Sequence, residues 1–485
     1  MRYHQLSETI MTVLGAVTLG LACDTGAECT NVCDGILDRQ LCLPMLTEIF
    51  DDSSTNPRLL KPIPINDCWD LQFGGRAELR AEHRVNYLMQ HPADGPTHDT
   101  PLSLYTQLNA ALSNKDKSMT FFVEGLTVQT GNHEPMWYGY EDIEFDLFQA
   151  WLEYKFPNSP WSVKAGRQLA PDLGDGRLIS APMHYWRYNS QDGITVRRVT
   201  PTMETTFLAL MTNTFIGTDD YGNRYASEMR PANQIVWGIY NTWKLANKTQ
   251  FDLYNLNKNS FNKEPYVSGS DGVDGRLGNY GFGSRIRGPL YEKKGLGVWA
   301  YGLEGMLQTG RYGGSSILAH MIHFDTSWEW DKNWKPKVTL FGNIASGNKD
   351  PYSNKWNRFD SLLGPSHYGY GLADVTRLSN MNELGVSFQV KPTKKTTVLT
   401  SAHQFWLNSA HDAWLAAGPG TLAWDKDGKS GRDLGQEIDL DIRYKVNEHW
   451  TMELGSAYFF TGDYGQQMGH GANSALVYLN QEFTF

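Results

Sequence analysis

The sequence predicts an all-β fold, a transmembrane antiparallel up-and-down β-barrel of about 18 strands with a short Cys-rich N-terminal extension. Three observations predict it. The chain ends in an amphipathic segment of period two that stops on an aromatic residue. Segments of about ten residues with the same alternation recur from Leu71 onward. The links between those segments sort by parity, short on one side and long on the other.

The terminal segment runs from Ser474 to Phe485. Ala475, Val477, Leu479, Phe483 and Phe485 share one parity, and Tyr478, Asn480, Glu482 and Thr484 share the other. Successive strand residues point to opposite faces, so one face is apolar and one is largely polar. A strand ending on Phe resembles the insertion signal of bacterial outer-membrane barrels. The last strand of a soluble sandwich can read the same way, so the rest of the chain has to decide.

Composition narrows the choice. A chain of 485 residues is too long for one ordinary soluble core and long enough for one large barrel. Aromatics make up 13%, charged residues 20%, and mean hydropathy is -0.46. No apolar run approaches the ~18 residues that a spanning helix needs. A barrel escapes a hydropathy search because only alternate residues face lipid. The net charge of -10 argues against nucleic acid as a partner.

The N-terminus reads as a signal peptide over residues 1–22. Ile10 to Ala22 is apolar and closes on Gly20-Leu21-Ala22 before Cys23, although Arg2 is nearly its only basic residue. Lipidation of Cys23 and a buried helix are the alternatives. Residues 23–70 read as a Cys-rich periplasmic extension or plug, and residues 71–485 as the barrel. Cysteines stand at 23, 29, 33, 42 and 68, all before the first good strand. In an oxidising compartment Cys29, Cys33, Cys42 and Cys68 suffice for two disulfides, whose pairing the spacing leaves open. Cys29 and Cys33 are not a CxxC pair and only His4 lies upstream, which argues against zinc.

The expected strands are 71–82, 104–113, 119–128, 146–156, 161–168, 187–198, 202–212, 233–245, 248–256, 278–288, 295–308, 316–328, 336–346, 381–391, 395–407, 435–446, 450–460 and 474–485. Short links include Asn114-Lys115-Asp116-Lys117, Pro157-Asn158-Ser159-Pro160, Pro392-Thr393-Lys394 and Asn447-Glu448-His449. Long links fall around 83–103, 129–145, 169–186, 213–232, 257–277, 347–380 and 408–434. That alternation places both termini in the periplasm and the long loops outside the cell. Leu384, Val386, Phe388 and Val390 alternate with Glu383, Ser387, Gln389 and Lys391, as a lipid face alternates with a lumen face. Trp334 and Trp450 sit near short turns, where an aromatic girdle belongs.

The lumen parity supplies Arg76, Arg80, Lys164, Arg197, Arg285, Arg287, Lys391 and Arg443. It also supplies Glu78, Glu82, Glu124, Glu304, Asp325, Glu383, Glu437, Asp439 and Asp441. Opposite charges on neighbouring strands pair, so a mixed-charge ladder in a wet lumen is the plain expectation. No GxSxG, HExxH, P-loop or paired CxxC motif occurs, so no enzyme activity and no cofactor is expected. His320 and His323 face nearly opposite ways, poor geometry for a shared metal. Asp425-Lys426-Asp427-Gly428 and Asp271-Gly272-Val273-Asp274-Gly275 read as polar turns ahead of calcium sites.

Several stretches resemble the bacterial alginate-export outer-membrane porin family. They are Ala165-Gly166-Arg167-Gln168, Gly174-Asp175-Gly176-Arg177-Leu178, Asp192-Gly193-Ile194, His403-Gln404-Phe405-Trp406 and Phe460-Thr461-Gly462-Asp463-Tyr464-Gly465. The most specific lies within Asp433-Leu434-Gly435-Gln436-Glu437-Ile438-Asp439-Leu440. The likeness runs from about residue 70 to the end and leaves out the Cys-rich head. It implies a barrel whose lumen passes an anionic polyuronate outward. The partners implied are outer-membrane lipids, an anionic polysaccharide or small anionic solute, and periplasmic export components. Rings of Arg and Lys lower the entry barrier for such a chain, and Arg suits bidentate carboxylate contact. The substrate-path candidates are Arg76, Arg80, Lys164, Arg167, Arg197, Arg285, Arg287, Arg443, Glu437 and Asp439. Arg167 falls on the apolar parity unless a bulge reorients it, and its role is implied by the resemblance alone. Two other readings stay open: a diffusion porin for small carboxylates or sugars, and a plugged structural or surface-attachment barrel.

Overall fold

The structure is a computed structural model that describes residues 61–87, 98–131, 143–180, 190–215, 229–260, 275–364, 369–416 and 421–485. Alternating residues build eighteen long strands. In chain order they are β1 (Trp69–Val85), β2 (Leu102–Asn114), β3 (Met119–Gly131), β4 (Ile143–Lys155), β5 (Trp161–Gln168) and β6 (Gln191–Val199). Next come β7 (Met203–Phe215), β8 (Met229–Lys244), β9 (Gln250–Ser260), β10 (Leu277–Lys293), β11 (Gly297–Tyr312) and β12 (Ser315–Trp330). The last six are β13 (Lys337–Ala345), β14 (Met381–Thr393), β15 (Thr396–Leu407), β16 (Asp433–Lys445), β17 (Trp450–Thr461) and β18 (Ser474–Thr484). Each pairs antiparallel with its neighbour in sequence, and β18 returns to β1 with Thr484 opposite Arg76. The sheet therefore closes, and its long strands have no free edge.

The two faces separate as the alternation demands. On β18, Val477 is 47% exposed and the adjacent Tyr478 only 1%. An exposed apolar belt is a liability in water and the expected surface in hydrocarbon. The seam is tight: the Gly75 N–H donates to the Phe485 carbonyl at 3.0 Å, and the Phe485 N–H to the Gly75 carbonyl at 3.1 Å. A Cβ on Gly75 would stand 2.5 Å from Cζ of Phe485. Trp450 stacks on Phe483 beside the short-turn rim, and Trp334 lies exposed there. By the general arrangement of such barrels that rim faces the periplasm.

Several strands outrun their sequence-based bounds. The expected strand 278–288 stops before Pro289, yet β10 continues to Lys293 by absorbing Pro289 in a register shift. β11 reaches Tyr312 and β12 starts at Ser315, so Gly313-Gly314 makes a tight hairpin on the long-loop rim. The long link 347–380 folds inward: its Trp356, Phe359, Leu372, Val375 and Leu378 are buried in the main apolar cluster together with strand residues. Among the described residues no helix is long and apolar enough to cross a membrane, and one short helix spans Asp463–Gln467. Cys68 is disulfide-bonded. The signal-peptide reading, Cys23, Cys29, Cys33 and Cys42 lie outside the described residues, as does most of the 271–275 segment.

Candidate substrate path through the lumen

Strand parity carries nearly all the candidate charges inward, and Arg76, Arg80, Arg285, Arg287, Glu437 and Asp439 are buried there, while Lys164 and Arg443 are half-buried and Arg197 is exposed. On β1, Arg76 is 3% exposed and Glu78 0%. Arg76 Nη2 lies 2.5 Å from Glu78 and 2.7 Å from Glu482. Arg80 pairs with Glu82 and lies 3.7 Å from the centroid of the Tyr478 ring. Arg84 extends the row, 2.5 Å from Glu82, and sequence reasoning missed it because the expected strand ended at residue 82. On β16, Arg443 meets Glu453 at 2.9 Å. Asp439 accepts from Ser401 at 3.1 Å and lies 3.2 Å from His403, which also meets Glu383 at 2.7 Å. Glu437 accepts the Ala373 N–H at 2.8 Å. Pairs this buried differ from exposed ones: breaking one by removing a partner costs about 3–5 kcal/mol because it strands a buried charge.

Two candidates stand apart. Lys164 lies 4.3 Å from the Trp151 ring centroid, and Arg197 pairs with Glu204 near the short-turn rim. Arg167 forks onto Asp192 at 2.8 and 3.1 Å. The register of β5 against β6 is unbroken and sets Arg167 opposite Asp192, on the parity of the exposed Ile194. No bulge turns it, and its pairing with Asp192 holds it on the outward side.

The rest of the site comes from two links that fold into the barrel. After β5, Gly174, Asp175 and Gly176 all adopt positive φ, at +65°, +53° and +75°. Glycine is at ease there, and Asp tolerates it better than most residues. The tip closes with the Arg177 N–H donating to the Gly174 carbonyl at 3.0 Å, and a Cβ on Gly174 would come within 2.8 Å of Glu304. This tip delivers Asp175 to both Arg285 and Arg287 of β10. Arg177 reaches Glu304 of β11 at 3.1 Å. Arg285 also holds Asp252 at 2.6 Å, and Arg287 holds Gln250 at 3.0 and 2.6 Å. Burial pushes the Asp175 carboxyl up, but the guanidiniums of Arg285, Arg287 and Arg177 outweigh it and hold the group well below the usual carboxylate range.

The link between β13 and β14 crosses the lumen. At one side Asp360 meets Lys258 of β9 at 3.0 Å, while its backbone exchanges hydrogen bonds with Gln308 of β11. At the other, Ala373 donates to Glu437 of β16 and the Val375 carbonyl accepts from Trp414 Nε1 at 2.9 Å. The two links are joined: Ile179 forms a parallel bridge with Leu363, and the Leu363 N–H donates to the Leu178 carbonyl at 3.1 Å. The Asp175 tip falls in a stretch that sequence reading marked only by resemblance. Its inward fold shows in the sequence as Leu178 and Ile179, apolar residues an exposed loop has little use for, and both are fully buried. The chemistry assembled is a ladder of fixed cations and anions with aromatic rings between. Among the described residues no group of three or more His, Cys, Asp or Glu is placed to hold a metal.

Comparison with known proteins agrees with this geometry. The alginate export family matches residues 70–478. No curated protein sequence matches the chain significantly. Among solved structures, the outer membrane protein OpdK of Pseudomonas aeruginosa superposes with a TM-score of 0.58 at 10% identity, covering 86% of this chain and 98% of that one. OpdG of the same organism gives a TM-score of 0.60 at 9% identity, covering 86% and 98%. OpdP gives 0.55 at 10%, covering 88% and 93%. At these identities the likeness is one of fold.

Proposed function

This chain belongs to the alginate-export family and is a porin of the bacterial outer membrane, and from that premise we propose that its lumen passes an anionic polysaccharide. The observation that carries the reading is the Arg285–Arg287 pair, which already binds a carboxylate, that of Asp175. A polyuronate presents one carboxylate per sugar, so successive units would meet the same pair in turn. Arg76, Arg80, Arg443, Lys164 and Arg197 line the remainder of the path, each beside an acid or a ring that keeps binding weak enough for movement. In this reading the protein is a passive pore without a cofactor, and residues 1–22 are a signal peptide preceding a periplasmic Cys-rich extension.

A second reading, uptake of small carboxylates or sugars by diffusion, is favoured by the two infolded links, which leave less room for a polymer. OpdK, which shares the fold, has been solved with vanillate, a small carboxylate. Planar-bilayer conductance separates the two. Block by uronate oligomers that deepens with chain length supports the polysaccharide reading. Block by monomeric carboxylates alone supports the second, and a pore that never conducts overturns both.

A further inference from the structure

On the outward face at the long-loop rim, Asn259 of β9, Gly278 of β10, Arg311 of β11 and Ser316 of β12 stand in one row. The row beneath holds Tyr280 and Leu318, and the next Phe282 and Leu307, all exposed. Arg311 therefore stands four residues, about 13 Å along the strand, above Leu307, the first exposed apolar residue beneath it on β11. Between belt and arginine lies an interfacial layer: Trp237 Nε1 donates to Asn259 at 2.6 Å, and Asn259 Nδ2 lies 3.5 Å from the Tyr280 hydroxyl. Aromatic and amide groups mark the boundary between hydrocarbon and headgroups. Arg311 stands just beyond that boundary.

Arg276 completes the feature. Its carbonyl accepts the Gly313 N–H at 3.0 Å, which seats it beside the tight hairpin and diagonal to Arg311. Both side chains are exposed, and among the described residues neither has an ion pair or a hydrogen bond. A Cβ on Gly278 would meet nothing closer than 3.6 Å, so the space between the arginines is open. Together with Asn259 and Gly313 they line a cleft of about 650 Å³. Two neighbouring cations repel each other, and an anion between them removes that cost. Phosphate fits best, because two guanidinium forks can each grip it bidentately.

We propose that this cleft binds a phosphate group on a lipid headgroup of the outer leaflet. Its height above the belt selects a membrane-anchored phosphate over a free one, because the acyl chains of such a lipid lie against Phe282, Leu307 and Leu318. The proposal rests on the membrane reading and is independent of what the lumen carries. Native mass spectrometry of the purified barrel tests it, with bisphosphorylated lipid A, the same lipid after phosphatase treatment, and inorganic phosphate as probes. Wild type should retain lipid A, Arg311→Lys should keep the charge but lose one fork and bind it more weakly than wild type, and the Arg276→Gln/Arg311→Gln double variant should bind it at least about tenfold more weakly than wild type. All three should run as heat-modifiable folded barrels and bind the dephosphorylated lipid equally weakly. Retention of lipid A by the double variant within about twofold of wild type would overturn the site. Equal binding of the dephosphorylated lipid by wild type, or full competition by equimolar inorganic phosphate, would overturn the lipid-phosphate assignment.

Discussion

Asp175→Asn is the sharpest probe of the lumen. The carboxylate holds the tip of the β5–β6 link against Arg285 and Arg287. A hydrogen bond to a charged partner contributes about 1.5–3 kcal/mol. Asn keeps one oxygen and loses the charge, while Arg285 retains Asp252 and Arg287 retains Gln250. The net loss should be about 2–3 kcal/mol, or a 30–150-fold shift from the docked toward the undocked tip. In planar bilayers the variant should dwell far longer in its high-conductance state than wild type. The pH behaviour follows from the depressed carboxyl. Its stabilising effect is complete above the ordinary value of 3.8 and fades as pH falls below it toward the lower folded-state value. Wild-type dwell times should thus stay flat from neutral pH down to about pH 4 and lengthen only in stronger acid, while the variant responds to neither. Identical dwell-time distributions for the two proteins at neutral pH would refute the reasoning, for they would leave Arg177 and the buried Leu178 and Ile179 as the whole anchor.

Other outcomes are expected on the same grounds. Arg287→Gln should weaken block by uronate oligomers about tenfold, read from the block midpoint, since it removes one charge-assisted contact; unchanged block places the polymer elsewhere. Deleting Phe485 should lower the yield of heat-modifiable barrel more than Thr484→Ala, because the Phe485 backbone pairs with Gly75 across the seam whereas the Thr484 side chain only points inward. Equal yields would show that the closing contact is dispensable. Alkylation of the denatured, unreduced protein should tag at most one thiol if Cys29, Cys33, Cys42 and Cys68 form two bridges, and four or five tags would mean a reduced head.

The fold was legible because lipid imposes a strict demand, an apolar residue at every second position. Leu384, Val386 and Phe388 satisfy it and are all exposed on the outer face. The ends of strands were less legible, because Pro289 reads as a stop and yet can be absorbed by a register shift in a long ladder. Direction was legible for the lumen charges, since parity alone sends Arg285 and Glu304 inward. Their partners were not. Parity cannot say which link folds back, so Asp175 and Arg177 went unassigned, as did Lys258, which waits for Asp360. The second infolded link did carry a physical signal. Trp356, Phe359, Leu362, Leu363, Leu372, Val375 and Leu378 are too many apolar side chains for a loop in water, and most of them are buried.

The bridge between Ile179 and Leu363 has a consequence for the current trace of a single pore. If each link moved alone, four combinations of positions would exist and the record would wander among several sublevels. Main-chain hydrogen bonds and buried neighbours tie the two together, so neither leaves without breaking the other's contacts. The pair behaves as one cooperative unit. Current through this barrel should jump between two levels, and the lifetimes of each level should follow a single exponential.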